Sequence, residues 1–450
     1  MKKLISLFTV ISLVLSMVVI SAFAAWDGTT VATAFASGTG TEADPFVIAT
    51  PEQLAFLAQS VKAGEDYEGK FVVLSADIDL GGKEWLPIGL YKYENTSDND
   101  FPFKGSFDGK GYTVSNFVIT AGNNTVYAGL FAYVTGDAVI KNVNIAKANV
   151  TGKNYAGVLV GKFAGKELSG IVVGEDCSAS GTASIGGVAG RIVGAEAKYL
   201  VNHASVNGTK ADSSTFAGGI TGTVGGGATL SYSANYGNVT NIGAFTGGIS
   251  GITGGDSGTG TLDNVVNYGE VNFAFESDKA WFVGGIAGCF GRDSGVEYNN
   301  SNLYNLGKVS ANAGNTTAYV GEIVGQSRKG IININKAYSI DIEGKELVGT
   351  NSGTLNSTDV VSKTEAEIKA LTAAIDAKIA ENKVTPPAAP ETTTPEAPET
   401  TAPSAPETNA PTTTPVKPSN PNTGDASAII LAAVCVTGLA AVMIAKKKER

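Results

Sequence analysis

Thr246-Gly247-Gly248-Ile249-Ser250-Gly251 is one copy of a pattern that returns along most of the chain. Upstream of it stand Ala128-Gly129-Leu130-Phe131, Ala156-Gly157-Val158-Leu159-Val160-Gly161, Ile185-Gly186-Gly187-Val188-Ala189-Gly190 and Ala217-Gly218-Gly219-Ile220-Thr221-Gly222. Downstream follow Val283-Gly284-Gly285-Ile286-Ala287-Gly288 and Val320-Gly321-Glu322-Ile323-Val324-Gly325. Counted at the first glycine of each, the steps are 28, 29, 32, 29, 37 and 37 residues. A period in that range marks a stack of similar units, each too small to bury its own apolar face.

A second pattern falls between the first: Asn202-His203-Ala204, Asn235-Tyr236-Gly237, Asn267-Tyr268-Gly269 and Asn305-Leu306-Gly307, followed by Val206, Val239, Val271 and Val309. The apolar pieces are four to six residues long and broken by glycine, which excludes helices and suits sharp corners. Two short strands and two turns per period are expected. A parallel β-helix meets these demands, because each coil pairs its backbone with the coils on either side at about 4.8 Å and stacks alternate side chains inside. Gly219, Gly248 and Gly285 then occupy one column, where a Cβ would force a disfavoured backbone angle or push coils apart, whereas Gly258 in the loop Gly254 to Gly260 should tolerate change.

Ala76-Asp77-Ile78-Asp79-Leu80, Trp85-Leu86-Pro87-Ile88-Gly89, Phe103-Lys104-Gly105-Ser106-Phe107-Asp108-Gly109 and the Gly-Gly-Ile runs together resemble the GLUG-repeat surface proteins of Firmicutes, over roughly residues 45 to 355. The resemblance implies an all-β fold, a right-handed parallel β-helix, and carries architecture better than activity. On this reading residues 25–44 form a lead-in and 45–358 the solenoid, with short capping helices. Thr50 can cap a helix starting at Pro51, whose Leu54, Leu57, Ala58 and Val61 share a face. At the far side, within 359–383, Ser362 and Glu365 form a capping-box pattern before the stripe Ile368, Leu371, Ile375 and Ile379, a helix expected to lie on the last coil rather than to pair with a partner helix, the alternative the stripe also allows.

The two ends read differently. Met1-Lys2-Lys3, an apolar run from Leu4 to Val19 and Ala22-Phe23-Ala24 make residues 1–24 a secretory signal peptide, with cleavage between Ala24 and Ala25. Residues 384–419 are rich in Pro, Thr, Ala and Glu, with Ala-Pro-Glu-Thr at Ala397 and Ala405. No core can form there, so this disordered stalk of 36 residues can extend roughly 110 Å at about 3.1 Å per residue. Then come Asn420-Pro421-Asn422-Thr423-Gly424, the apolar run 426–445 and the basic tail 446–450. A run of that length can span a membrane as a helix, and the cationic tail resists translocation. The arrangement resembles the sorting signal of sortase substrates, L-P-x-T-G in most, with Asn420 in the first position. It implies cleavage between Thr423 and Gly424, transfer to the peptidoglycan precursor of the cell wall, and membrane contact only through that segment before cleavage.

Without Lys2, Lys3, Lys446, Lys447, Lys448, Arg450, Asp425 and Glu449, 26 basic and 40 acidic residues remain, a net charge of −14. Such a surface repels phosphate backbones, so nucleic acid is not an expected partner. Cys435 lies in the apolar run, and Cys177 and Cys289 are several coils apart, beyond the roughly 7 Å that a disulfide bridges, so both read as small core residues.

Candidates for chemistry are few. His203 is the only histidine and shares a column with Tyr236 and Tyr268, where stacking explains it better than catalysis. No H-E-x-x-H or Cys pair offers a zinc site, and no cofactor is expected. Asp77 and Asp79 are alternate residues that read as turn or backbone caps rather than a calcium site or an acid pair. Arg191, Arg292 and Arg328 fall just after the Gly-Gly-Ile strands of three repeats. Asn202, Asn235, Asn267 and Asn305 read as a ladder of amides closing a turn. Tyr236, Tyr268, Tyr298 and Tyr304 could offer faces to sugar rings, although core or turn stacking is the simpler account. The expected function is a non-enzymatic surface display protein, an adhesin or ligand-binding module whose extracellular ligand could be a glycan. The alternative is a β-helix polysaccharide lyase or glycosidase, which needs clustered titratable groups in a groove.

Overall fold

The computed structural model describes residues 25–91, 100–120, 126–255, 258–274, 281–311, 318–340 and 345–387. Residues 1–24, read as a signal peptide ending at Ala24, most of 384–419, read as a stalk, and the expected sorting segment with Asn420 to Gly424 lie outside the described residues.

One coil shows how the repeat folds. Phe216–Gly218 is a short strand, the chain turns through Gly219 and Ile220, Thr221–Gly225 runs on, Ala228–Asn235 follows, and Val239–Asn241 closes the turn. The next coil repeats the set from Phe245–Gly247. Four strand segments per coil replace the two expected. The sequence reading missed a bend inside the longest segment, where Tyr232 holds φ at +44°. The same left-handed corner recurs in register at Asn142, Gly170, Tyr199, Asn264, Asn302, Lys336 and Asp359. A left-handed residue kinks an extended strand without breaking its pairing, and glycine or asparagine adopt that angle most readily.

Pairings between the named strands are parallel and gather into sheets of 19, seven and eight strands. The interior is a file of fully buried side chains, one per coil at each position: Ala217, Ile220, Val224, Leu230 and Val239 in one coil, with Ile249, Leu262 and Val271 below. The chain is therefore a mostly β solenoid of parallel coils.

Its N-terminal end is closed. Helix α1 (Pro51–Lys62) has Thr50 as N-cap, Pro51 in its first turn, and Leu54, Ala55, Leu57, Ala58 and Val61 buried. The segment before it packs too, with Trp26 edge-on to Trp85 at 5.9 Å and Phe35 stacked on Phe46 at 4.6 Å.

Helix α2 (Glu365–Glu381) corrects two expectations. Its capping box uses Thr364 and Glu367 rather than Ser362 and Glu365, because the last strand, Thr354–Lys363, continues through Ser362. Nor does it close the last coil. It runs back along the side of the long sheet, against Glu196–Asn202, Ala228–Asn235, Gly260–Asn267 and Ile331–Ile340. Ile368 and Ile375 bury against Val266, Tyr304 and Tyr338, while Leu371 is 41% exposed and leaves the stripe.

The asparagine column forms the ladder expected of it. Asn202 Nδ2 donates to Asn235 Oδ1 at 2.8 Å, Asn235 to Asn267 at 2.9 Å and Asn267 to Asn305 at 2.9 Å, all buried. Each amide also closes its own turn, as Asn267 Nδ2 does on Gly269 O at 2.9 Å. The glycine column exists because of this ladder. A Cβ on Gly248 would lie 2.3 Å from Asn267 Cγ and 2.1 Å from Gly285 O, and Gly187, Gly219 and Gly285 face the ladder in the same way. None of the four has a positive φ, so crowding and not backbone angle selects glycine. Gly258, expected to be free, is crowded as well, with Gly226 Cα 3.0 Å from its Cβ position.

The last copy shows the rule by exchange. Where the four preceding coils carry the second glycine, Glu322 stands, and where they carry asparagine, Ser339 stands, its column partner Asn305 donating to Ser339 Oγ at 3.2 Å. The smaller serine leaves room for the buried glutamate, which Ser339 contacts at 3.4 Å and Lys345 pairs at 3.1 Å.

Candidate functional site: an aromatic column beside a row of cations

Two residues before the first glycine of each repeat stand Tyr127, Tyr155, Ser184, Phe216, Phe245, Phe282 and Tyr319, in unbroken register along the seven-stranded sheet. Alternation puts them on the opposite face from the core file that holds Ala217, where Tyr127, Phe216 and Phe245 are nevertheless buried and Tyr155, Phe282 and Tyr319 are half-buried. Stacked coils then place ring on ring. Tyr91 lies on Tyr127 at 4.2 Å and Tyr127 on Tyr155 at 4.6 Å. Phe216, Phe245, Phe282 and Tyr319 follow at 5.6, 5.2 and 5.5 Å.

The strand after the glycine corner supplies a second column, Tyr133, Lys162, Arg191, Thr223, Ile252, Cys289 and Gln326. Cations reach from this side over the rings. Lys162 stands 5.3 Å above Tyr133, Arg191 5.2 Å above Tyr155, Arg292 5.7 Å above Phe216 and Arg328 6.0 Å above Phe245. Arg191 Nη1 also donates to the Tyr155 hydroxyl at 2.7 Å. The three arginines noted in the sequence thus belong to one side of the solenoid. The aromatic column itself was missed there, although its fixed offset from the glycines was the available signal.

The other candidates stay apart. His203 stacks on Tyr236 at 4.7 Å and Tyr236 on Tyr268 at 4.6 Å, as the shared column suggested. Burial lowers the His203 pKa, reinforced by Lys383 and opposed by Glu175. Tyr268 donates to Asp376 at 3.0 Å, tying this stack to α2. Tyr298 and Tyr304 do not join it: Tyr298 is fully buried and its hydroxyl accepts from the Arg292 and Asp293 amides, while Tyr304 packs on Tyr338.

Asp77 accepts from Thr113 N at 2.8 Å, and Asp79 from Gly81 N at 2.8 Å and Asn116 Nδ2 at 2.9 Å, so both cap backbone and turn. Among the described residues no three His, Cys, Asp or Glu side chains are grouped to hold a metal. Cys177 and Cys289 are buried and unbridged, and burial pushes their thiols up to about 11 and about 12. Ala25 is exposed at the start of the described residues.

A parallel β-solenoid with a lengthwise aromatic face is the class that these features define. No family model matches the chain. Over 184 residues it is 32% identical to Halomucin of Haloquadratum walsbyi, a match covering 38% of this chain and 2% of that protein. A candidate Gly-rich membrane protein of Evansella cellulosilytica is 33% identical over 136 residues, covering 29% of this chain and 14% of that one. The chain thus spans a small part of either relative. Among solved structures, a candidate immunoglobulin A1 protease from Bacteroides ovatus aligns over 76% of this chain and 90% of its own, with a TM-score of 0.44 and 20% identity.

Proposed function

We propose that the protein is a cell-wall-anchored surface display protein, an adhesin-type module of the GLUG kind that binds a glycan through the side of a right-handed solenoid and catalyses no reaction. The observation that carries this reading is the aromatic column: rings in register at one-coil spacing stand beside a row of cations, and its partly buried members Tyr155, Phe282 and Tyr319 present ring edges along that side. Aromatic rings and guanidinium planes give glycan contacts without demanding a convergent set of acid, base and nucleophile. Display outside the cell is supported by the signal peptide, the Pro/Thr-rich stalk and the Asn420-Pro421-Asn422-Thr423-Gly424 motif before an apolar run and basic tail. Sortase and the peptidoglycan precursor are the partners of that step.

Two experiments test it. The secreted chain applied to a glycan array should bind a defined subset of polysaccharides, and uniform absence of binding refutes the ligand class. Thr423→Ala should move the protein from the detergent-resistant wall fraction into membrane or medium, and persistence in the wall refutes the anchoring.

A further inference from the structure

The two ends of the solenoid differ. Helix α1 and the segment before it close the first coils, whereas α2 turns back along the side and leaves the last coil bare. Among the described residues no strand pairs with the outer edge of Val348–Asn351 or Thr354–Lys363, each of which is bonded only to the coil before it. The core opens there as well. Ile323, Val324, Ile332 and Ala337 are fully buried one coil earlier, while Leu347, Val348, Leu355 and Val360, which follow them in register, are half-buried. Such an end offers unpaired backbone groups and apolar side chains together, a template for another strand.

Edges of this kind are commonly blunted by charge, proline or a bulge. The arm Thr354–Thr358, ahead of the left-handed corner at Asp359, carries none of these. Its outward residue Asn356 ends a second amide ladder, donating to Asn333 Oδ1 at 2.9 Å as Asn333 donates to Asn299 Oδ1 at 2.7 Å. Each Oδ1 in that series accepts from the coil that follows. No described coil follows Asn356, so its Oδ1 and its second amide hydrogen are left for a partner.

Charge and chain course narrow the occupant. Residues 345–363 hold Lys345, Lys363, Glu346 and Asp359 and are neutral, against −14 for the chain without its two terminal segments. A second copy is therefore repelled by most of the surface and not by this end. The chain's own tail is a poor fit. It leaves the solenoid beside Gly111, next to the Asn142 corner, and from there the corners run through seven coils, about 34 Å at about 4.8 Å each, to Asp359. Between Pro386 and Pro421 no five successive residues are free of proline, which cannot donate to a ladder.

We propose that the open end is a homodimer interface, two copies joining end to end about a two-fold axis through Asn356. The arms run antiparallel, so that Thr354 of one copy stands opposite Thr358 of the other, Leu355 opposite Ser357, and the two Asn356 amides bond reciprocally. An edge related to itself by a two-fold axis meets its own donors and acceptors in complementary order, which closes the assembly at two. Inward residues meet inward residues, and the two cores become continuous.

Sedimentation equilibrium of the full secreted protein tests this. The parent should pass from monomer to dimer in the micromolar range, as a small interface does. Thr354→Lys with Thr358→Lys, both at exposed positions, sets lysine opposite lysine twice, and should weaken the dimer at least tenfold while the Tm of dilute protein stays within a few degrees. Thr354→Lys with Thr358→Glu sets opposite charges face to face and should restore the parental affinity. A parent that stays monomeric at about 1 mM overturns the proposal, whether the edge is then bare or taken by the tail or a different protein. A dimer that both variants leave unchanged lies elsewhere on the surface and overturns it too. So does a lysine–glutamate variant no tighter than the dilysine one, because the antiparallel register is then wrong, and so does assembly beyond two copies.

Discussion

Gly248→Ala perturbs the solenoid where two columns lock together. The new Cβ would lie 2.1 Å from Gly285 O and 2.3 Å from Asn267 Cγ, against the 3.4 Å at which ordinary contact begins. Relief requires a carbonyl of the next coil and a buried amide each to move by about 1 Å, and crowding of this kind costs roughly 1–3 kcal/mol. The amide that must move holds its place by donating to Gly269 O and Asn305 Oδ1 and accepting from Asn235 Nδ2, each at 2.9 Å. Leaving one such group unsatisfied adds about 1–3 kcal/mol. The sum, about 2–6 kcal/mol, corresponds to a Tm drop on the order of 10 °C, and Gly248→Val should lose more. Gly295→Asn is the control. Its Cβ position is open, and asparagine accepts its φ of +76°, so the cost should stay below about 1 kcal/mol. Melts followed by circular dichroism decide it: equal small shifts for Gly248→Ala and Gly295→Asn would refute the locked-column account.

Three further outcomes follow from the same geometry. Glu322→Gln should raise Tm at pH 7, because burial holds the Glu322 carboxyl above its usual range despite Lys345, and stability from that group is gained only as pH falls through the folded value. His203→Tyr, matching Tyr236 and Tyr268 in its column, should flatten the pH profile. With the folded His203 pKa depressed by burial, wild type loses stability as pH falls below about 6.5, and Tm measured from pH 7 to 5 reads the difference. Cys177 and Cys289 should resist alkylation in native protein at pH 8 and react on unfolding, as thiols pushed up to about 11 and about 12 require.

How much of this was legible beforehand depended on whether a residue's partner lies at the repeat period or elsewhere. The asparagine ladder, the stacking of His203 with Tyr236 and the capping roles of Asp77 and Asp79 were readable, since one-coil offsets turn sequence columns into contacts. The four-segment coil was not, because the bend at Tyr199 and Tyr232 is carried by residues that seldom take a left-handed angle. The course of α2 was hidden for another reason: its amphipathic stripe specifies that something apolar is covered, and nothing local says whether that is the coil end or the tyrosines of the long sheet. The aromatic column was visible as a fixed offset from each glycine pair, yet that offset does not say which rings end up buried, as Phe216 and Phe245 do, and which stay half-exposed, as Phe282 and Tyr319 do.

Binding by the column itself is the central claim, and Phe282→Ala with Tyr319→Ala tests it most directly. Both rings are only partly buried and stand at one end of the stack, 5.5 Å apart. The double variant should keep the melting profile of the parent within a few degrees and lose most of its glycan binding on the same array. Undiminished binding at unchanged stability would contradict the account and move the contact surface to another side of the solenoid.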